Sequence, residues 1–192
     1  MTAAEQPLGR MTAAEHPLWN ALRDYRVGPA DAALSFEARL ARENGWSAEH
    51  ADAVMAEYRR FLFLAMAAGH MAVPSEAVDQ AWHLHLTYSR DYWDRLCGEV
   101  LQAPLHHGPT AGGAEEGQRY FAFYAETLAS YERLFGEVPP EKIWPSAWQR
   151  FHVDPRARRV SLADAWVVPK SVVRLGAAAA AVIALAAVAL WG

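Results

Sequence analysis

A single cysteine, Cys97, stands among 192 residues. It leaves no partner for an intrachain disulfide and no cysteine cluster for a structural zinc, which fits a reducing compartment. Charge of one sign is scarce as well: 18 Lys and Arg against 22 Asp and Glu give a net charge of −4. Neither a basic field for nucleic acid nor an acidic tail is present, so no nucleic-acid partner is expected. No run alternates polar and apolar at period two for long enough to claim a sheet. The chain start shows no basic segment followed by an apolar one, which argues against a secretory signal peptide. "GPTAGGAEEG" is not followed by Gly-Lys-Ser/Thr and is no phosphate loop. At the N-terminus "MTAAEQPL" and its near-copy "MTAAEHPL" are too short to stack as a structural repeat. They read as a duplicated translation start, with Met11 as the alternative first residue, and residues 1–14 are expected to be disordered.

What is present is apolar and aromatic. The hydrophobic share is 53%, with 8 Trp, 7 Tyr and 7 Phe, ample for one packed core. Leu18, Leu22 and Tyr25 mark a short first helix, and "LSFEARLAREN" a second that stops at Gly45. Ser47 is a good N-cap for a third. There Ala51, Val54, Met55, Tyr58, Phe61, Leu62 and Ala65 recur at helical spacing. Its second half, "FLFLAMAA", is apolar all round and therefore central, with Gly69 ending it. Pro74 and Ser75 open a helix expected to run unbroken through Tyr92 to about residue 98. Tyr120, Phe123, Tyr124, Thr127, Leu128, Tyr131 and Phe135 face one side of another, closed by Gly136. The expected architecture is all-α: a compact helical bundle over 15–151, a basic juxtamembrane linker over 152–170, and a single transmembrane helix over 171–192.

The membrane reading comes from "LGAAAAAVIALAAVALW". From Leu175 to Trp191 no side chain is charged or polar, and seventeen helical residues span roughly 26 Å. Ile183, Leu185 and Leu190 supply much of the insertion energy, Arg174 can snorkel to headgroups, and Trp191 suits the far interface. Arg156, Arg158, Arg159, Lys170 and Arg174 all precede the span. The positive-inside rule then leaves the helical domain in the cytosol, as a tail-anchored, single-pass protein of the cytoplasmic membrane.

The chemistry centres on "DQAWHLHLTYSRDYW". At 100° per residue His83 and His85 point about 160° apart, so on an intact helix they cannot hold one ion. His85 shares the apolar stripe of Trp82 and Trp93 and reads as a satisfied core histidine. His83 follows Asp79 by one turn, a spacing at which a carboxylate orients an imidazole or shares a metal with it. His106 and His107 lie in "APLHHGPTAGG", a loop able to reach back to that helix. Zinc wants four N, O or S ligands. Asp79, His83, Cys97 and one of His106 or His107 could supply them, so a divalent metal such as zinc is the cofactor considered. Cysteine catalysis through Cys97 and His106 lacks its usual sequence context, so no catalytic residue is assigned.

The block from "EYRRFLFL" to "LHHGPT" resembles an uncharacterised bacterial family, and is similar to the repeated domain of the plant glycine-rich domain-containing proteins. A D-x-x-W-H-x-H pattern after a proline, then a Tyr, a Cys and a His, carries the resemblance. Here the matching residues are Pro74, Asp79, Trp82, His83, His85, Tyr92, Cys97 and His106, within a likeness covering about 33–150. The chain departs from the plant proteins in lacking a glycine-rich tail. The resemblance implies a helical domain with Asp79, His83, Cys97 and His106 as a shared site, and names no reaction. The function expected is a membrane-tethered module that binds a protein partner or assembles there, without catalysis of its own. The alternative is a metal-dependent, hydrolase-like enzyme. Asp79, His83 and a loop histidine converging on a cleft would favour the enzyme; the same side chains buried and satisfied would favour the module.

Overall fold

The computed structural model describes residues 12–154, apart from 30 and 109–111, together with the isolated positions 166, 168 and 172. Among the described residues every regular element is helical. A 3-10 turn, Ala13–Glu15, leads into α1 (Pro17–Leu22), α2 (Phe36–Asn44), α3 (Ala48–Ala67) and α4 (Glu76–Thr87). A π-helix, Asp91–Leu101, is followed by α5 (Ala114–Phe135) and a short π-turn, Gln149–Val153. Residues 12–14 fall inside the segment expected to be disordered, yet Thr12 and Glu15 form a capping box and Ala13 is buried. The rest of that segment lies outside the described residues.

Serine hydroxyls start three of the helices. Ser35, Ser47 and Ser75 accept from Ala38, His50 and Val78 N–H groups that have no partner within the helix. Gly136 ends α5 at φ 69°, a left-handed conformation that an L side chain resists. Ser75 is fully buried, and its cap orients the helix that carries the histidines. Ser75→Ala is expected to lower unfolding stability by about 1 kcal/mol, read as a shift in the urea midpoint at constant slope.

α3 runs through the core. Phe61, Leu62, Phe63 and Leu64 are all buried, so its middle is covered on every side, as the apolar run in sequence requires. α1, α2 and α4 pack on α3. α5 is tied on by polar contacts: Thr127 Oγ1 accepts from the Val73 N–H at 3.0 Å. The chain beyond α5 returns to α3 where Trp144 Nε1 donates to the buried Glu57 carboxylate at 2.9 Å.

The expected unbroken helix from Ser75 to residue 98 is broken. α4 stops at Thr87, Tyr88 takes ψ 56°, and the chain resumes at Asp91 as a π-helix. Thr87 Oγ1 donates to the Leu84 carbonyl at 2.7 Å, a local competitor for helix hydrogen bonding. The interruption also lets Asp91 turn back towards His85. In consequence the apolar stripe shared by Trp82, His85 and Trp93 does not form, and Trp93 is 41% exposed. Tyr92, Leu96, Cys97 and Leu101 turn inward instead. Their spacing of four and five suits the wider turn of i→i+5 hydrogen bonding.

Apart from Val172, the expected span 171–192, with Arg174, Leu175, Ile183, Leu185, Leu190 and Trp191, lies outside the described residues, as does most of the linker 152–170. No described helix is long and apolar enough to cross a membrane.

Candidate metal centre

Asp79 and His83, one turn apart on α4, present their polar atoms to the same side, with His83 Nε2 3.7 Å from Asp79 Oδ2. The third member arrives from the loop after the π-helix. Gln102 ends that helix at φ 52°, and the Ala103 N–H bonds back to the Cys97 carbonyl at 3.1 Å, reversing the chain. Tyr92 then fixes the loop. Its hydroxyl accepts from Trp82 Nε1 at 2.8 Å and donates to the Leu105 carbonyl. Burial pushes the Tyr92 phenol up to about 12, so it remains a donor at any ordinary pH.

With Leu105 held, His107 lies over α4. Its ring meets Trp82 edge-on at 4.4 Å between centres, and its Nε2 stands 2.9 Å from Asp79 Oδ1. The His83 and His107 rings are 4.4 Å apart. One ligand atom each from Asp79, His83 and His107 falls within 4.8 Å of the other two. Among the described residues no other group of three His, Cys, Asp or Glu side chains converges so closely.

The cluster opens on a cleft of about 890 Å³ between α4, the loop and the start of α5. Asp79 and His107 are each 19% exposed and His83 49%. Two imidazoles and a carboxylate are the donor set of catalytic zinc sites, which leave a fourth position for water or substrate. The hydrogen bond between His107 and Asp79 occupies the place where a metal would sit.

The other two members of the expected ligand set are elsewhere. His106 lies against Trp93, ring centres 5.5 Å apart, although it too reaches the cleft wall. Cys97 is buried on the core side, near enough to Tyr25, Tyr58 and Tyr92 that a thiolate there would oppose ionisation of their phenols.

His85 belongs to a second network that the sequence did not disclose. It is fully buried; Nδ1 is 2.9 Å from the Tyr58 hydroxyl and Nε2 is 2.9 Å from Asp91 Oδ1. Asp91 also accepts from the Tyr25 hydroxyl, from the Gly28 N–H at 3.0 Å, and from Arg95. Gly28 sits at φ 78°, a conformation that an L side chain resists, and a Cβ there would crowd the Tyr88 ring at 3.2 Å. Burial lowers the His85 pKa, against the pull of Asp91, and holds the ring neutral. Burial alone would raise Asp91, but its donors outweigh it and keep the carboxyl below its ordinary range. With both ring nitrogens and the carboxylate engaged, this network braces the join between α4 and the π-helix.

An all-helical domain with two histidines and a carboxylate at the mouth of a cleft is thus the class that fold and site define. The model of the UCP032817-like family matches residues 23–120, a stretch holding Asp79, His83, His107 and the Asp91 network. The chain belongs to that uncharacterised family. No curated protein and no solved structure matches it.

Proposed function

We propose that this domain is a metal-dependent hydrolase, with Asp79, His83 and His107 as the ligands of one zinc-like divalent ion. The observation carrying the reading is the convergence of those three side chains on an 890 Å³ cleft. Asp79, His83 and His107 would hold the ion with one position left for water, and the ion would supply Lewis-acid activation of that water for hydrolysis of an ester, amide or phosphoryl group. Trp82 and Tyr92 have a positioning role, holding the loop from which His107 reaches Asp79. The test is metal analysis of the purified full-length chain after stripping and zinc reloading. One zinc per chain, with hydrolysis of an activated ester that chelator abolishes and zinc restores, supports the reading. Stoichiometry near zero removes it.

We infer from the D-x-x-W-H-x-H block a likeness of about residues 33–150 to the plant glycine-rich domain-containing proteins, which implies a shared site at Asp79, His83, Cys97 and His106 and specifies no reaction. The interaction-module reading has its own support. Trp148 is 64% exposed and stacks on His152 at 4.0 Å, next to Phe121, an aromatic surface of the kind that partners cover.

The membrane address is part of the same proposal, resting on the uninterrupted apolar sequence from Leu175 to Trp191 and the basic residues before it. Deletion of residues 171–192 is expected to move the protein from the membrane pellet to the supernatant of lysed cells. Recovery of the full-length chain in the supernatant would contradict the anchor.

A further inference from the structure

The same cleft carries a cation whose Nε is buried without an acceptor. Arg150 lines it together with the three proposed ligands, and its side chain is only 16% exposed. The guanidinium carbon lies 5.1 Å from the Tyr124 ring centre and 5.2 Å from that of Phe151. Those aromatic faces hold the charged plane but offer no acceptor atom. Among the described residues the Arg150 side chain donates no hydrogen bond: Nε is buried without a partner, and Glu76 Oε2 stands 3.6 Å from Nη1, beyond hydrogen-bonding distance. Glu76 is itself 68% exposed, and an ion pair so open to solvent contributes little.

Arg39 Nε is likewise buried without a partner, but its side chain is 38% exposed, whereas Arg59 and Arg60 have acceptors. Arg59 donates to the Tyr25 carbonyl at 2.7 Å, and Arg60 reaches the Tyr131 hydroxyl and Glu137. A buried guanidinium N–H that lacks an acceptor is costly, and the Arg150 Nε calls for an explanation. Its position supplies one, because a guanidinium fork matches a phosphate or carboxylate in two-point contact.

We propose that Arg150 is the anion-binding residue of the metal cleft. It takes the phosphate or carboxylate group of a small organic substrate, while Val73, Pro74, Trp82, Tyr120 and Phe151 receive the apolar body. The inference rests on the metal-cleft reading and adds the substrate class: an oxyanion-bearing molecule with an apolar portion. An arriving anion displaces only the loose contact with Glu76.

The test uses the full-length chain in mild detergent, loaded with Co(II), and titrated with inorganic phosphate and, separately, acetate. Anion binding is followed through the Co(II) absorption bands and by calorimetry. The expected result is saturable binding of at least one anion, weakened by about tenfold or more in Arg150→Met and partly recovered in Arg150→Lys, with Co(II) stoichiometry unchanged. The stronger of the two arms identifies the anion class. Anion affinity equal in parent and Arg150→Met, or no saturable binding in either arm, overturns the inference. Should Arg150→Met fail to fold, Arg150→Lys is compared alone, and unaltered affinity for both anions then counts against the proposal. Failure of the metal reading is separable. If Co(II) is not taken up, calorimetry of the metal-free parent and variants still reads the anion, and Arg150-dependent heat sustains the inference while its absence ends it.

Discussion

Replacing His107 with alanine is expected to lower zinc affinity by more than about 100-fold, while His106→Ala and Cys97→Ala leave it unchanged. The magnitude follows from removing a direct ligand, since loss of a partner that only orients a ligand already costs 10–100-fold. The contrast between neighbouring histidines follows from geometry: His107 Nε2 is 2.9 Å from Asp79, whereas His106 lies against Trp93. Asp79→Ala and His83→Ala should match His107→Ala, because a two-ligand remnant binds weakly whichever member is lost. Competition titration against a chromophoric chelator reads all five variants, with far-ultraviolet circular dichroism confirming the helices. Equal loss in His106→Ala and His107→Ala would show that the loop carries its histidines differently.

The second large effect is on stability. Asp91→Ala is expected to cost about 3–5 kcal/mol in urea unfolding at neutral pH, the range for removing one member of a buried charged network. The Asp91 side chain is 9% exposed and serves Tyr25, Gly28, His85 and Arg95 together. Its loss strands a buried imidazole, a phenol and a backbone N–H at once. The pH dependence has a definite sign. Asp91 titrates below its ordinary 3.8 in the folded protein. In the window between that value and its folded pKa the unfolded chain binds more protons. Its stabilisation is therefore complete above the ordinary carboxylate range and is lost as pH falls through the folded pKa. The difference between parent and Asp91→Ala should accordingly shrink in acid, whereas a gap constant from neutrality to strong acid would exclude the carboxylate as its source.

How much of this could be read along the chain depended on the distance over which each interaction acts. The Ser47 and Ser75 caps, the stops at Gly45 and Gly136 and the buried middle of α3 depend on neighbours within a turn or two, and the sequence shows them directly. So does the pairing of Asp79 with His83, which needs only an intact α4. The break after Thr87 was not legible, because no Pro or Gly lies between Trp82 and Tyr92. It is stabilised instead by Asp91 reaching Tyr25 and Gly28, more than sixty positions earlier in the chain. His106 and His107 were indistinguishable for a related reason. Which of two adjacent loop residues faces α4 is decided by the hydroxyl of Tyr92 on the Leu105 carbonyl, a contact no local pattern encodes. Tyr58, which shares the His85 ring with Asp91, looked like one more core aromatic of α3.

The two networks divide the labour of one short region. His85 faces inward, neutral and fully bonded, and fixes the join between α4 and the π-helix; His83, two residues earlier, faces the cleft half exposed. Tyr92, at the start of the π-helix, then carries that rigidity to the loop bearing His107. A site built on one helix and one anchored loop is preorganised on its helical side and adjustable on the other, as the proposed metal site would require.

X-ray absorption at the zinc edge, on the reloaded full-length protein, tests the central claim most directly. The account predicts a first shell of nitrogen and oxygen alone at about 2.0–2.1 Å, with the outer-shell signature of two imidazoles. A sulfur scatterer at about 2.3 Å would place Cys97 on the metal and contradict it.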